Sequence, residues 1–331
     1  MMKGLSWSGM PRIVAHVATF VLLVLCIGDI GSKAHIQLRV EHGRPASAPG
    51  LPFMLTLHSF DIETYEGTQD PRQFTSRVAV VAADGTARML EISVNHPAVI
   101  YPWSFYQVGY DTAKGADSGY SVIECVRDPL YPVIRIVLWA LLLSSLLLVV
   151  KSLPRGRSGR LWSIVGLIFV FFVWLTMDRV GVGAQNLRPV LRSPWFVPHI
   201  VVYMFAYAVL TAVTLLAAWL WIRSQRHPVP PGKMALCDTL TRIGWALLNA
   251  GMCMGALWAK QAWGDWWSWD PKETWALLTW VGYLAYFHLR GRYIRDPRTA
   301  FALLIFNFML LQMCWYGVNF LPGASMHTYT G

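Results

Sequence analysis

Seven long apolar segments constrain the fold of this chain more than any other feature of its sequence. A helix needs roughly 20 residues to cross the hydrocarbon core of a bilayer. Segments close to that length lie at 13–31, 131–151, 161–177, 197–222, 243–260, 271–290 and 300–319. Charged residues make up only 14% of the chain, whereas a soluble domain carries about 25%. The sequence therefore predicts an all-α polytopic membrane protein with about seven transmembrane helices.

Short basic clusters predict the orientation of these helices. The clusters lie before the first segment and after the second, fourth and sixth, at Lys3 and Arg12, at Lys151, Arg155, Arg157 and Arg160, at Arg223, Arg226, Lys233 and Arg242, and at Arg290, Arg292, Arg295 and Arg298. Lys and Arg gather in short cytoplasmic loops, so we expect a cytoplasmic N-terminus and an extracytoplasmic C-terminus. Because these clusters explain the net charge of +10, nucleic acid is not expected as a partner.

Residues 32–130 form the one long stretch between apolar segments, and we expect them on the extracytoplasmic side. Alternating apolar residues predict strands at 53–60, 76–81 and 89–94, and Ala83-Asp-Gly-Thr86 predicts a hairpin turn between the last two. We interpret the stretch as a small β-rich domain inserted between helices one and two. The expected division is therefore a first transmembrane helix at 1–31, the β-rich domain at 32–130, a second helix and a cytoplasmic loop at 131–160, and a membrane domain at 161–331.

The first apolar segment has a second interpretation, a cleaved signal peptide. Ser32-Lys33-Ala34 resembles a small-residue cleavage site. The length of the run, with His16 inside it and Asp29 near its end, favours a helix that stays in the protein.

Four tryptophans cluster in the loop between the fifth and sixth segments, where Trp263, Gly264, Asp265, Trp266, Trp267, Trp269 and Asp270 lie together. Tryptophans often form a belt at the membrane interface, but a belt does not explain four in one loop. If the loop were helical, positions 263, 266, 267 and 270 would share one face. Such a flat apolar wall suits a porphyrin, so we expect residues 263–270, called the tryptophan loop below, to bind haem.

The end of the tryptophan loop carries the signature of a helix start. Asp270-Pro-Lys-Glu273 offers an N-cap, a proline at the first helical position and a glutamate at the third. The sixth helix is therefore predicted to begin at Pro271. For Asp270 and Glu273 the capping role is favoured over direct catalysis.

Two pairs of histidines are candidate ligands for haem iron, because neutral imidazoles are its usual axial ligands. His199 opens the fourth segment and His327 lies in the C-terminal tail, and the predicted topology places both beside the tryptophan loop. His16 and His288 both lie towards the cytoplasmic ends of their helices, where they could hold haem at inner-leaflet depth if the helices are neighbours. Snorkelling beside Arg290 is the alternative for His288.

The remaining histidines and the basic residues near the tryptophan loop allow weaker inferences. Haem propionates favour Arg or Lys partners, and Arg188, Arg192 and Lys260 are candidates, although lipid headgroups would suit them equally. A solvated or locally hydrogen-bonded role is expected for His35, His42, His58, His96 and His227. None of the five cysteines forms C-x-x-C, so the chain is neither a thiol oxidoreductase of the usual kind nor itself a c-type cytochrome.

The run from Trp263-Gly-Asp-Trp-Trp-Ser-Trp-Asp270 to Trp275 resembles the "WWD" segment of the haem-handling CcsA/ResC family of System II cytochrome c biogenesis. Ser193–His199 and Met326-His-Thr-Tyr329 resemble the sites of that family's two external haem-ligating histidines. This resemblance covers about residues 161–331. Ile92–Pro97 and Arg12–His16 resemble the partner protein ResB/CcsB, so the whole chain resembles a shortened fusion of the two proteins.

The resemblance implies holocytochrome c synthase (haem lyase) activity in a bacterial inner membrane. Haem b, bound non-covalently, would enter between His16 and His288 and move outward to the tryptophan loop, where His199 and His327 would ligate it. Thioether bonds would then join it to the C-x-x-C-H motif of apocytochrome c. A further ResB-type subunit or thiol-reducing proteins remain open as partners. The alternatives are a haem exporter or chaperone without attachment activity, a b-type cytochrome that transfers electrons, and a transporter for another flat apolar ligand.

Overall fold

The computed structural model describes residues 9–153, 159–180, 186–290 and 292–321. The helices in these ranges are α1 (Met10–Ser32), α2 (Tyr131–Ser152), α3 (Gly159–Val180), α4 (Phe196–Arg223), α5 (Pro231–Trp263), α6 (Pro271–Arg290) and α7 (Pro297–Trp315). The strands, all between α1 and α2, are β1 (Ala34–Glu41), β2 (Phe53–Thr64), β3 (Pro71–Ala82), β4 (Ala87–Ser93), β5 (Ala98–Ile100), β6 (Trp103–Tyr110) and β7 (Tyr120–Arg127).

The chain is a membrane protein with a β-rich N-terminal region. Among the described helices, α1, α2, α4 and α7 are long and apolar enough to cross a membrane, and α3 contains a shorter apolar run at Leu161–Trp174. These are four candidate spans rather than the seven predicted. Helices α5 and α6 fall short because they carry charged and polar side chains such as Asp238, Lys260 and Glu273, each of which has a partner inside the structure.

Helix α5 occupies the centre of the helical part. It packs against α2, α4 and α6, while α1 packs on α2 and α7 on both α4 and α6. Its 33 residues span about 50 Å, and it begins at Pro231 rather than near the predicted residue 243. The extra turns exist because Met234, Cys237 and Leu240 are buried in the main apolar core, which also contains residues of α4 and α7.

Residues 34–127 fold into two antiparallel sheets, with strand orders β1-β7-β6-β5 and β2-β3-β4. The sheets enclose an apolar core that includes Val40, Leu55, Val78, Phe105 and Ile123. The predicted strands are present as β2, β3 and β4, and the predicted turn at 83–86 joins β3 to β4. We call this double sheet, together with the residue on either side of it (33 and 128), the β domain.

Four strands of the β domain were missed. Strand β1 alternates apolar Ile36, Leu38 and Val40 with polar residues, so its pattern was present in the sequence. Strand β6 shows no alternation because five consecutive residues from Trp103 to Gln107 are buried on both of its faces. Since β1 follows α1 directly and β7 leads into α2, this sheet stands on the ends of those two helices.

Candidate functional site

Helix α5 ends at Trp263, the first residue of the tryptophan loop, and Gly264 is its C-cap. Gly264 has the left-handed backbone conformation, with φ of 91°, which ends the helix without the strain that a side chain would add. A Cβ atom there would lie 2.9 Å from Val126 Cγ2 and 3.0 Å from Tyr106 Cε2. Both the backbone conformation at position 264 and the limited space around it therefore require glycine. The close contact with Val126 and Tyr106 also shows that the β domain lies directly against the loop.

Residues 264–270 are irregular, so the tryptophans do not share a helical face as they would on a continuous helix. Trp266 is buried and stacks on Tyr131 at the start of α2, with ring centroids 5.5 Å apart. Trp269 has a positive φ of 59° and is 67% exposed, and its ring lies 6.1 Å from that of Trp267. One indole thus anchors the loop, while another is presented on its surface.

The predicted capping box closes the loop. Glu273 N donates to Asp270 Oδ1 at 2.7 Å, and Glu273 Oε2 accepts from Ser268 N at 2.7 Å and Asp270 N at 3.4 Å. Both carboxylates are buried, and α6 begins at Pro271. The capping role predicted for Asp270 and Glu273 is confirmed, and the cap fixes the loop onto α6.

Asp265 faces the β domain. Its Oδ1 lies 2.5 Å from Lys33 Nζ and 3.3 Å from His35 Nε2. Burial raises the pKa of Asp265, but hydrogen bonds from His35 and Lys33 outweigh it and lower the pKa to about 2. The hydrogen bond to Asp265 raises the pKa of His35, whose Nδ1 lies 3.1 Å from Glu124. His35 therefore has a specific partner in the tryptophan loop, and the expectation of a solvated or locally bonded histidine is wrong.

Lys260, one turn before the loop, is also held by the β domain. Its ammonium is 2.5 Å from Asp128 Oδ2 and donates to Gly264 O at 2.8 Å. Both charged side chains of this ion pair are buried. The charge of the Lys260 ammonium is thus already balanced by Asp128, which removes Lys260 as a candidate partner for haem propionates.

His199 lies in the first turn of α4, with its ring against α5. Its Nδ1 lies 2.9 Å from Gly251 O, and because a carbonyl only accepts, Nδ1 carries the proton and the lone pair is on Nε2. A Cβ atom at Gly255 would lie 2.8 Å from His199 Cε1. Trp258, whose ring is 6.0 Å from His199 and 5.7 Å from Trp263, connects the histidine to the tryptophan loop. His327, its predicted counterpart, lies outside the described residues.

His16 and His288 are brought together, with ring centroids 6.1 Å apart. Each Nδ1 donates to the carbonyl four residues earlier, at 2.7 Å to Arg12 O and 2.9 Å to Leu284 O. In both rings the Nε2 atom therefore carries the lone pair. This is the tautomer that a histidine needs to bind a metal through Nε2.

The two rings line a cavity of about 480 Å³ between α1, α2, α5 and α6. Its other lining residues are mostly apolar or aromatic, with two arginines: Arg12, Ala15, Thr19, Phe20, Leu23, Leu148, Arg242, Trp245, Trp280, Leu284 and Phe287. Volumes of about 300–1,000 Å³ are usual for small-molecule and cofactor sites. The cavity therefore has the size and the lining of a site for a mainly apolar ligand with acidic groups.

A chain of hydrogen bonds fixes the aromatic wall of this cavity. Trp245 Nε1 donates to Trp280 O at 3.2 Å, Trp280 Nε1 donates to Asn249 Oδ1 at 3.1 Å, and Asn249 Nδ2 donates to Ser145 Oγ at 2.6 Å. Buried Asn249 thus links α6 to α2 through α5. Polar groups in these helices hold the indole rings in place.

Fold and site together define a helical membrane protein in which a β domain docks on an aromatic interhelical loop and two imidazoles meet in a cavity. Residues 128–325 match the family model described as cytochrome C assembly protein, and residues 6–129 match the ResB-like family. The chain belongs to the cytochrome c assembly protein family, joined to a ResB-like part.

Relatives named cytochrome c biogenesis protein CcsA support this membership. The protein of Prochlorococcus marinus strain MIT 9515 is 31% identical over 243 residues, 64% of this chain and 76% of the relative. That of Guillardia theta is 32% identical over 241 residues, 64% and 78% of the two chains. That of Prochlorococcus marinus strain MIT 9312 is 38% identical over 177 residues, 44% of this chain and 57% of the relative.

Several site residues were missed by sequence reasoning. Arg12 and Arg242 were assigned only to basic clusters, yet both line the cavity. Lys33 and Asp128 were not singled out, although both hold residues in or near the tryptophan loop. A charged residue next to a long apolar segment was the sequence feature that could have indicated a functional role. It could not identify a partner more than 100 positions away.

Proposed function

We propose that this protein acts in cytochrome c biogenesis as a holocytochrome c synthase. It takes up haem between His16 and His288, delivers it to the tryptophan loop, and presents it there for attachment to an apocytochrome c. The observation that carries the proposal is the meeting of His16 and His288 in one cavity. Membership of the cytochrome c assembly family and the names of the relatives support the same assignment.

The spacing of His16 and His288 suits two axial ligands of one iron. A metal–imidazole bond is about 2 Å long, so the centre of a coordinated ring lies roughly 3 Å from the metal. Two rings on opposite sides of one iron then have centroids about 6 Å apart, as His16 and His288 do. In both rings the Nε2 atom also carries the lone pair that binding to iron requires.

The acidic end of haem b would meet Arg12 and Arg242. Neither guanidinium group makes a hydrogen bond or an ion pair with any residue that the structure describes, so both are available to carboxylates. Charge-assisted bonds to carboxylates are among the strongest in proteins. We therefore assign the propionates of haem held in this cavity to these two arginines.

At the tryptophan loop, His199 and His327 are proposed to ligate the iron while the loop's indoles contact the porphyrin face. Attachment adds each cysteine S–H of the client across a haem vinyl group, so that a C–S bond forms and the thiol hydrogen passes to the neighbouring vinyl carbon. This addition involves no net oxidation. The chain's contribution is to hold haem and peptide in register.

Internal contacts support a topology with seven membrane crossings. Helix α6 begins beside the β domain, near the C-terminal end of α1, and its His288 meets His16 near the other end of α1. It therefore runs antiparallel to α1, a candidate span, across much the same thickness. Four crossings by α2 to α5 would return the chain to the β domain, as its contacts with the tryptophan loop require. We place the β domain outside a bacterial inner membrane, with a cytoplasmic N-terminus.

The test is the haem content and spectrum of the full chain purified in mild detergent. We expect about one non-covalent haem with the low-spin spectrum of two imidazole ligands, and a loss of affinity of about 100-fold or more in His16→Ala and His288→Ala. His58→Ala, at an exposed position on β2, serves as the control. Unchanged haem affinity and spectrum in both ligand variants would overturn the assignment of the cavity.

A haem exporter and a b-type cytochrome would share the cavity but not the product. Neither would form a covalent bond between haem and another protein. Covalently labelled C-x-x-C-H apocytochrome in a host without other maturation genes would therefore select the synthase.

A further inference from the structure

The ResB-like part and the cytochrome c assembly part meet at the tryptophan loop. The two family matches change over at residues 128–129, and Asp128, at that boundary, is the ion partner of Lys260. Lys33 and His35, on the N-terminal side of the boundary, contact Asp265 on the other side. The β domain therefore supplies several of the groups that hold the loop.

One group of contacts acts on the body of the loop. Lys33 lies between Asp265, at 2.5 Å, and Asp29 of α1, at 3.6 Å, while both nitrogens of His35 face carboxylates, those of Asp265 and Glu124. A charged imidazole is the form in which both nitrogens donate. The Asp265 carboxylate is thus directed to the β domain by two cationic partners.

A second group acts on the base of the loop. The Lys260 ammonium forms an ion pair with the Asp128 carboxylate and donates a hydrogen bond to the Gly264 carbonyl, so it joins the β domain to the base of the loop. Removing Asp128 would leave a buried charge without its counter-ion, which proteins tolerate poorly. Gly264 lies against Tyr106 and Val126 of the same domain, so this contact is steric as well as electrostatic.

We propose that the β domain sets the working shape of the tryptophan loop, with Lys33, His35 and Asp128 as positioning residues for haem attachment. This inference rests on the proposed function, since it assigns the ResB-like part a role at the same site. It also assigns Asp265 to holding the loop rather than to contacting haem. Trp263, Trp267 and Trp269 are the indoles left to form the ligand surface, because Trp266 is buried and stacks on Tyr131.

The experiment measures two properties of each variant. One is hydrogen exchange of the amides at 264–270 in the full chain in lipid nanodiscs, and the other is the yield of covalent haem on a co-expressed C-x-x-C-H apocytochrome. Lys33→Met and Asp128→Asn should each speed exchange in the loop by about tenfold or more, because a hydrogen bond to a charged group is worth at least that factor. The same two variants should lower the covalent yield. Lys33→Arg, which keeps the charge, should retain most of both properties.

Arg77→Met is the matched control, because Arg77 forms an exposed ion pair with Glu91 on β3 and β4. It should leave loop exchange and covalent yield unchanged. Unaltered loop exchange in Lys33→Met and Asp128→Asn would overturn the inference, and so would faster exchange with a normal covalent yield. If the wild-type chain yields no covalent haem, the proposed function fails, and the exchange comparison alone then decides whether the β domain orders the loop.

Discussion

At the scale of single residues, the charges around Asp265 connect the tryptophan loop to the β domain. Asp265 faces Lys33 and His35, and His35 also faces Glu124. The hydrogen bond to Asp265 raises the pKa of His35 above its ordinary 6.5, while hydrogen bonds from His35 and Lys33 overcome burial and lower that of Asp265 to about 2. Docking therefore favours the charged forms of both residues.

A pH dependence follows from these two shifts. The His35 contribution is fully present below pH 6.5 and is lost as the pH rises through its raised pKa, whereas the Asp265 contribution is present above pH 3.8 and is lost as the pH falls towards 2. Loop protection, measured by hydrogen exchange and corrected for the intrinsic effect of pH, should thus decline above neutral pH. His35→Gln should remove this decline, while a decline that persists in His35→Gln would assign it to another group.

Gly264 offers a steric test at the same scale. In Gly264→Ala the left-handed backbone costs about 1–3 kcal/mol, and the new Cβ atom also meets Val126 and Tyr106. Gly85→Ala is the control, because Gly85 has a similar φ of 82° but nothing within 4 Å of its added Cβ. Thermal unfolding should show a cost in both variants, but covalent haem yield should fall only in Gly264→Ala. Normal yield in Gly264→Ala would mean that the loop tolerates displacement from the β domain.

At the scale of secondary-structure elements, the packing of α4 on α5 positions His199. The imidazole lies over Gly255 and bonds the carbonyl of Gly251. A larger residue at position 255 would push the ring from this place. The close contact of the two helices is therefore part of the proposed outer ligand site.

Gly255→Ala should accordingly displace His199 and reduce covalent haem yield, with partial recovery when imidazole is added to the medium. Gly232→Ala, in the first turn of the same helix, adds a Cβ atom with nothing within 4 Å and should have no effect on yield. Equal yields from the two variants would show that the position of His199 is not critical.

Elements with strong local signals were predictable from sequence, whereas those fixed by distant contacts were not. The Asp270-Pro-Lys-Glu273 cap fixed the start of α6, and turn residues identified the β3–β4 hairpin. The length of α5 and the existence of β6 depend on burial against other elements. Likewise, no local pattern could indicate that Lys33 meets Asp265, since 232 positions separate them.

At the scale of the whole molecule, the two proposed sites lie towards opposite ends of one helical bundle. The cavity with His16 and His288 lies towards the far end of α1 and α6 from the β domain, which contacts the tryptophan loop. His16 and His288 were predicted as a pair on the condition that their helices are neighbours, and their rings do meet in the structure. The arginines beside them could not be distinguished by sequence from ordinary cytoplasmic charges.

The topology makes a prediction at this scale. Reporter fusions that are active only outside the cytoplasm should be active after residue 86, in the β3–β4 turn, and after residue 268, in the tryptophan loop, and inactive after residue 227, between α4 and α5. Activity at 227, or its absence at 268, would contradict the seven crossings proposed here.

The passage of haem between His16 and His288 before it is joined to another protein can be tested by the formation of covalent haem on a C-x-x-C-H apocytochrome. The apocytochrome is co-expressed with this chain in a host that lacks other maturation genes, and haem is stained after denaturing electrophoresis. We predict covalent haem with the wild-type chain and with His58→Ala, and at least about tenfold less with His16→Ala and His288→Ala. Wild-type yield from the double variant His16→Ala/His288→Ala would contradict the account.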